Sequence, residues 1–196
     1  MEYEASETKK YKQASVGTHT GICYMIADIG TQKTSYEGDE KEVHQVIIGW
    51  ELPEELTDDN RPLTIIKTYT LSFNEKATLA KDYKAWTKEQ NPKKFNLGQL
   101  LGKGCNLNIG VTSGGNAKVT GVSALKANEK VPELQAKPVM FDLRKPDMVA
   151  IMDLPNFIID KINASPEYKA YMNGDTPAAK TDVHGNDVEL NDSIPF

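Results

Sequence analysis

Two cysteines, three histidines and two tryptophans are all that 196 residues contain of those types, and each scarcity removes a class of protein. Cys23 and Cys105 lie far apart without any CxxC pairing, which excludes a disulfide framework and leaves both as small apolar residues of a core. His19, His44 and His184 do not join them at zinc-ligand spacing, so no metal or cofactor is expected. No apolar run approaches the roughly 20 residues of a membrane-spanning helix, and Met1-Glu2-Tyr3-Glu4 leads into no apolar targeting segment. A cytoplasmic location is the expectation. Material for catalysis is missing as well. Gly102-Lys103-Gly104 and Ser113-Gly114-Gly115 lack the phosphate-loop spacing, no carboxylates cluster at a magnesium-binding spacing, and no nucleophile stands with a base. The chain is therefore not expected to be an enzyme.

An excess of positive charge is also lacking, but the deficit is uneven. The formal net charge is −5, and Asp175–Phe196, with five acids and one base, accounts for −4 of it. About −1 remains for Met1–Gly174, a near-neutral body that can still present a basic groove. The final segment has few apolar side chains before Ile194, too few to repay ordering, and is expected to be a disordered acidic tail. Residues 1–15 are expected to form a flexible arm carrying Lys9, Lys10, Tyr11 and Lys12. With 39% hydrophobic and 26% charged residues, the stretch between suits one globular domain, residues 16–174.

Within that domain, alternation predicts strands over Val16–Thr31, Glu42–Leu52 and Leu63–Ser72, with a loop over Gly30–Glu42 and a stop at Pro53. The first strand sorts Ile22, Tyr24 and Ile26 from Cys23, Met25 and Ala27. Ser72 and Glu75 then match a capping box, and Leu79, Tyr83 and Trp86 form one apolar stripe on a helix running to about Lys88. A helical turn near Leu97–Leu101 precedes a strand through Cys105, Leu107, Ile109 and Val111, the hairpin Ser113-Gly114-Gly115-Asn116, and a strand over Ala117–Lys126. Val139–Leu143 is a candidate edge strand. Short helices follow from Asp153-Pro155, burying Phe157, Ile158 and Ile162, and from Ser165-Pro166 to near Gly174. Three strands, a helix and two strands make a mainly β protein with the element order of an OB-fold, a five-stranded antiparallel barrel whose helix lies between strands three and four.

Two resemblances bear on function. The chain end, Asp192 with Ile194-Pro195-Phe196, resembles the C-terminal peptide of bacterial single-stranded DNA-binding proteins, although Asn191 and Ser193 stand where that family has carboxylates. The body resembles phage-encoded single-stranded DNA-binding proteins of the OB-fold in Gly17-Thr18-His19, Asp28-Ile29-Gly30-Thr31-Gln32, Trp50-Glu51-Leu52-Pro53, Tyr69-Thr70-Leu71-Ser72 and Leu101-Gly102-Lys103. The first implies that Asp192, Ile194, Pro195 and Phe196 dock replication, recombination or repair proteins. The two together imply coating of single-stranded DNA in phage or mobile-element replication and recombination inside a bacterial host.

Capture of a single strand without sequence preference needs cations along the backbone path and flat rings for the bases. The expected contacts are Lys67 and Tyr69 on the third strand, Trp50 on the second, Tyr24 on the first, Lys33 and Tyr36 in the first loop, Lys103 before the fourth strand and Lys118 on the fifth. For Trp50 and Tyr24 a place in the core competes with stacking, and a one-residue slip in register would turn any of these strand residues inward. Tyr83 and Trp86 belong to the core stripe. The alternative function is a protein–protein adaptor or phage structural protein whose barrel binds no nucleic acid. A homo-oligomer has no positive signal in the sequence.

Overall fold

A computed structural model describes residues 12–175 apart from 37, 38, 91 and 93. Its centre is a pair of long strands, β1 (Gly17–Tyr36) and β2 (Asp39–Leu56), antiparallel from Ile22↔Glu51 out to Tyr36↔Asp39. The expected loop at 30–42 is instead ladder on both sides, so the hairpin forms an arm. Pro53 does not stop β2 either. The strand continues to Leu56 past an irregularity between Leu52 and Leu56, where the missing Pro53 N–H breaks the pairing without ending the extended backbone.

β3 (Pro62–Thr70) pairs with β2, β4 (Gly104–Val111) with the first third of β1, and β5 (Ala117–Ser123) with β4, giving the order β3-β2-β1-β4-β5. All of these pairs are antiparallel. Where β4 leaves β1, the short β6 (Val139–Phe141) takes over the same edge in parallel, Met25↔Val139 to Ala27↔Phe141. The sheet curls until its end strands β3 and β5 touch, and helix α1 (Thr78–Thr87) packs against both. The seam is filled by the helix; no β3–β5 ladder forms among the described residues. The helix begins at Thr78 with Ala77 as N-cap, so the Ser72/Glu75 capping box does not form and residues 71–77 make a turn-rich link.

The enclosed side holds one core: Ile26, Val46, Ile48, Trp50, Leu52, Leu63, Ile65 and Tyr69 from β1–β3, Leu79, Tyr83 and Trp86 from α1, and Cys105, Leu107, Ile109, Val119 and Val122 from β4–β5. Trp50 and Trp86 meet at 5.9 Å, and the Trp86 indole N–H donates to Gly104 O at 2.9 Å. Cys23 and Cys105 are free and buried here, and burial pushes the Cys23 thiol up to about 12.

A second core lies on the opposite face of β1–β2. Met25, Ala27, Ile29 and Ile47 pack there against β6, α2 (Met148–Met152), α3 (Asn156–Ala164) and α4 (Pro166–Met172) through Phe141, Ile151, Ile158, Ile162 and Tyr168. Of the three residues expected to be buried by α3, Ile158 and Ile162 are, whereas Phe157 is exposed. The strict alternation expected along β1 fails at a bulge between Cys23 and Met25, which puts Cys23 and Ile26 in the first core and Met25 and Ala27 in the second. A second bulge sits at Gly30, whose φ of 69° favours glycine and whose missing side chain admits Ser165 and Leu143. Of the expected N-terminal arm, residues 12–15 lie within the described set and are tied down: Gln13 accepts from Ala117 N at 2.6 Å and Ser15 bonds Glu55.

Candidate nucleic-acid interface

The β-strand period places Lys67 on the enclosed side of β3 with Leu63, Ile65 and Tyr69. An ammonium in that position must be paired, and α1 supplies Asp82. Its Oδ2 accepts from Lys67 Nζ at 2.7 Å and from the Tyr69 hydroxyl at 2.8 Å, while Lys67 Nζ lies 4.8 Å from the Tyr69 ring centre. The lysine and the aspartate are both mostly covered, at 16% and 15% side-chain exposure. Burial, then the Asp82 charge and hydrogen bond, raise the Tyr69 phenol far above its ordinary value. The three residues therefore staple α1 to β3. Lys67 still lines a groove between β3 and the start of α1, together with Ser72, Asn74 and Lys76.

Two expected stacking rings are corrected by their burial. Trp50 is 0% exposed and Tyr69 is 3% exposed, so no base can reach either ring. The Trp50 indole N–H makes no full hydrogen bond among the described residues and meets only the Cys105 sulfur, a weak acceptor. Both rings point inward because they share parity with Leu52 and Ile65, which the enclosed core needs.

Tyr24 lies on the other face and is half-buried. Its ring crosses the position where a side chain on Gly49 would stand, and its hydroxyl reaches Thr64 on β3. Burial raises its phenol, partly offset by the Thr64 bond. Beside it Glu51, also facing outward, is buried because residues 135 and 136 cross over it: its carboxylate accepts from Gln135 N at 3.0 Å and Ala136 N at 2.6 Å. Together with the helical layer over Met25–Ile29 and Ile47, this leaves the outward face of β1–β2 largely covered.

Lys33 on the β1 arm, Lys103 before β4 and Lys118 on β5 are exposed. They belong to the arm, the α1–β4 link and β5 respectively. The Tyr36 side chain and the tail residues Asp192, Ile194, Pro195 and Phe196 lie outside the described residues.

One site escaped the sequence reading. A cleft of about 570 Å3 opens between the end of β3, the link before β4, and β6. Its walls are apolar, with Ile26, Val46, Leu71, Phe73, Phe95 and Met140 among them, and its rim is polar. On that rim His44 Nε2 donates to Asp28 Oδ1 at 2.6 Å, and Arg144 forms a bidentate pair with Asp142 at 2.6 and 3.0 Å. Burial alone would raise the Asp142 carboxyl, but hydrogen bonds and charge from Arg144 outweigh it and hold the carboxyl below the usual aspartate range. Lys94 and Asn96 complete the rim and are exposed. With Ser72 as a helix cap, Phe73 would stand in a first helical turn. The available signal was an aromatic set between polar Ser72 and Asn74 at the end of a strand.

No cluster of three or more metal-ligating side chains occurs among the described residues, and no described helix is long and apolar enough to cross a membrane. No protein-family model matches the chain, and no curated protein matches it in sequence.

Proposed function

We propose that the chain is an OB-fold single-stranded DNA-binding protein of a phage or mobile element. The observation that carries this reading is the strand path. A curled sheet ordered β3-β2-β1-β4-β5, with β3 approaching β5 and the helix between strands three and four filling the seam, is compatible with that barrel. Support comes also from the charge division between a near-neutral body and an acidic chain end closing in Ile194-Pro195-Phe196. In this reading the body holds the strand through phosphate contacts by exposed lysines and base contacts by exposed rings, without cofactor or catalysis. The tail recruits replication, recombination or repair proteins, its acids and terminal carboxylate meeting a basic rim while Phe196 fills a pocket.

The test is fluorescence anisotropy of a labelled oligo-dT at two salt concentrations, with matched duplex as competitor. Tight binding that weakens with salt, at a log–log slope of roughly −0.7 per neutralised phosphate, and that duplex fails to displace is the expected result. Deleting Asp175–Phe196 is expected to tighten binding and flatten the salt slope, because the tail's acids compete with phosphate for the same cations. Absence of binding at low salt, with the tail present and with it deleted, would sink the reading.

One observation favours the adaptor reading instead. Met148, Val149, Met152, Phe157, Tyr171 and Met172, all on the C-terminal helices, are exposed large apolar residues, a composition typical of protein contacts. That reading predicts no salt-dependent capture of oligo-dT.

A further inference from the structure

We propose that the cleft between Phe73 and Met140 receives one nucleobase of the bound strand, stacked on Phe73; this rests on the single-strand reading above. The argument begins with a row of rings. Tyr83, in the core, holds its hydroxyl between Asn96 N at 3.3 Å and the Gln99 side chain. Phe95 lies against it at 4.9 Å, and Phe73 stacks on Phe95 at 4.3 Å with only 20° between the planes. The row thus runs from a buried, hydrogen-bonded ring to an outermost one that is 40% exposed. A base laid on Phe73 extends a stack that is already built, so little ordering cost remains. Met140, 48% exposed across the cleft, supplies a soft opposing wall, and Gly98 makes room for it: a side chain there would stand 3.2 Å from the Met140 sulfur.

The rim suits a heterocycle carrying both donors and acceptors. Asn96 and the unshared lone pairs of Asp28 offer oxygen acceptors, Lys94 offers donors and positive charge for a flanking phosphate, and the Arg144–Asp142 pair leaves the remaining guanidinium N–H groups as donors. The cleft's size is in the range of pockets that bury small aromatic ligands. The same mixture disfavours the chain's own acidic end as the occupant, because its carboxylates would approach those of Asp28 and Asp142. The cleft also adjoins the Lys67–Lys76 groove: Ser72 and Asn74 line the groove while Phe73, between them, lines the cleft. A strand following the groove therefore arrives at Phe73.

The experiment uses the full chain carrying Phe73→Trp. Trp50 and Trp86 are buried, so a change in emission on titration reports position 73. Oligo-dT is titrated with emission and anisotropy read together, alongside an abasic oligonucleotide of equal length and a synthetic peptide of residues 187–196. Binding of oligo-dT with quenching that the abasic strand does not produce is the expected result, and Phe73→Ala should weaken oligo-dT binding about 5- to 100-fold. Binding without quenching, or equal quenching by the abasic strand, would overturn the cleft and leave the single-strand reading standing. Quenching by the peptide with none by oligo-dT would overturn it in favour of the tail. No binding of oligo-dT by any variant would overturn both readings.

Discussion

β1–β2 and β4–β5 are antiparallel pairs of one sheet, yet they are built on different rules. In β2 the run Val46-Ile47-Ile48 continues through Gly49 to Trp50, and every side chain in it is buried. In β4, buried Cys105, Leu107 and Ile109 alternate with Asn106, Asn108 and Gly110. The first pair is a wall between two cores; the second has one core and one open face. A strand of nucleic acid therefore cannot lie along the middle of β1–β2, from Met25 to Ile29 and from Ile47 to Glu51, where the helical layer and residues 135–136 already sit. The open surfaces are the outer sides of β3, β4 and β5 and the cleft at Phe73.

The comparison can be broken most severely from inside the curled sheet. Trp50→Ala should cost about 3–5 kcal/mol in urea unfolding, since it empties the largest fully buried side chain. In the native protein both cysteines should resist a thiol reagent at pH 8, with burial holding Cys23 at about 12, and Trp50→Ala should unmask them. Ile158→Ala, in the outer core, should cost about 2–4 kcal/mol. Hydrogen exchange would sharpen the contrast: protection should fall in α3, α4 and β6 and persist at β4–β5, and equal loss everywhere would mean the two cores act as one unit.

Asp82→Ala tests the staple between β3 and α1 and should cost about 2–3 kcal/mol, because it leaves the Lys67 ammonium and Tyr69 hydroxyl covered and unpaired. If Lys67 were instead a free phosphate ligand, this variant would fold normally and bind DNA more tightly. The smallest structural effect is expected from Lys118→Ala on the open face of β5. Stability should change by less than about 0.5 kcal/mol, while the salt slope for oligo-dT should fall by about 0.7 if this lysine meets a phosphate.

Much of this comparison was legible beforehand. The Leu79–Tyr83–Trp86 stripe, the β4–β5 hairpin, the Val139 edge strand and the Ser165-Pro166 helix start all appear where pattern and turn chemistry put them. What failed was face and extent. A bulge at Tyr24 exchanged the faces of β1 partway along, and bulges leave no mark in a strand's alternation until the partner is known. Lys67 read as outward because a lone lysine seldom enters a core; the residue that lets it do so, Asp82, is 15 positions away on another element. Phe73 and Phe95 belong to one cleft although 22 positions separate them in the chain.

By itself the sequence determined a mainly β chain of this element order, the Leu79–Tyr83–Trp86 stripe, and the division of charge between body and chain end. Those properties follow from local periodicity, turn residues and composition, which each short stretch carries alone. Only the tertiary structure decided which rings are buried, which lysine is paired, that the middle of β1–β2 is covered on both faces, and that three rings line up to open at Phe73. Each of these depends on contacts between residues far apart in the chain, where the free energy of burial and pairing is set by the partner as much as by the residue.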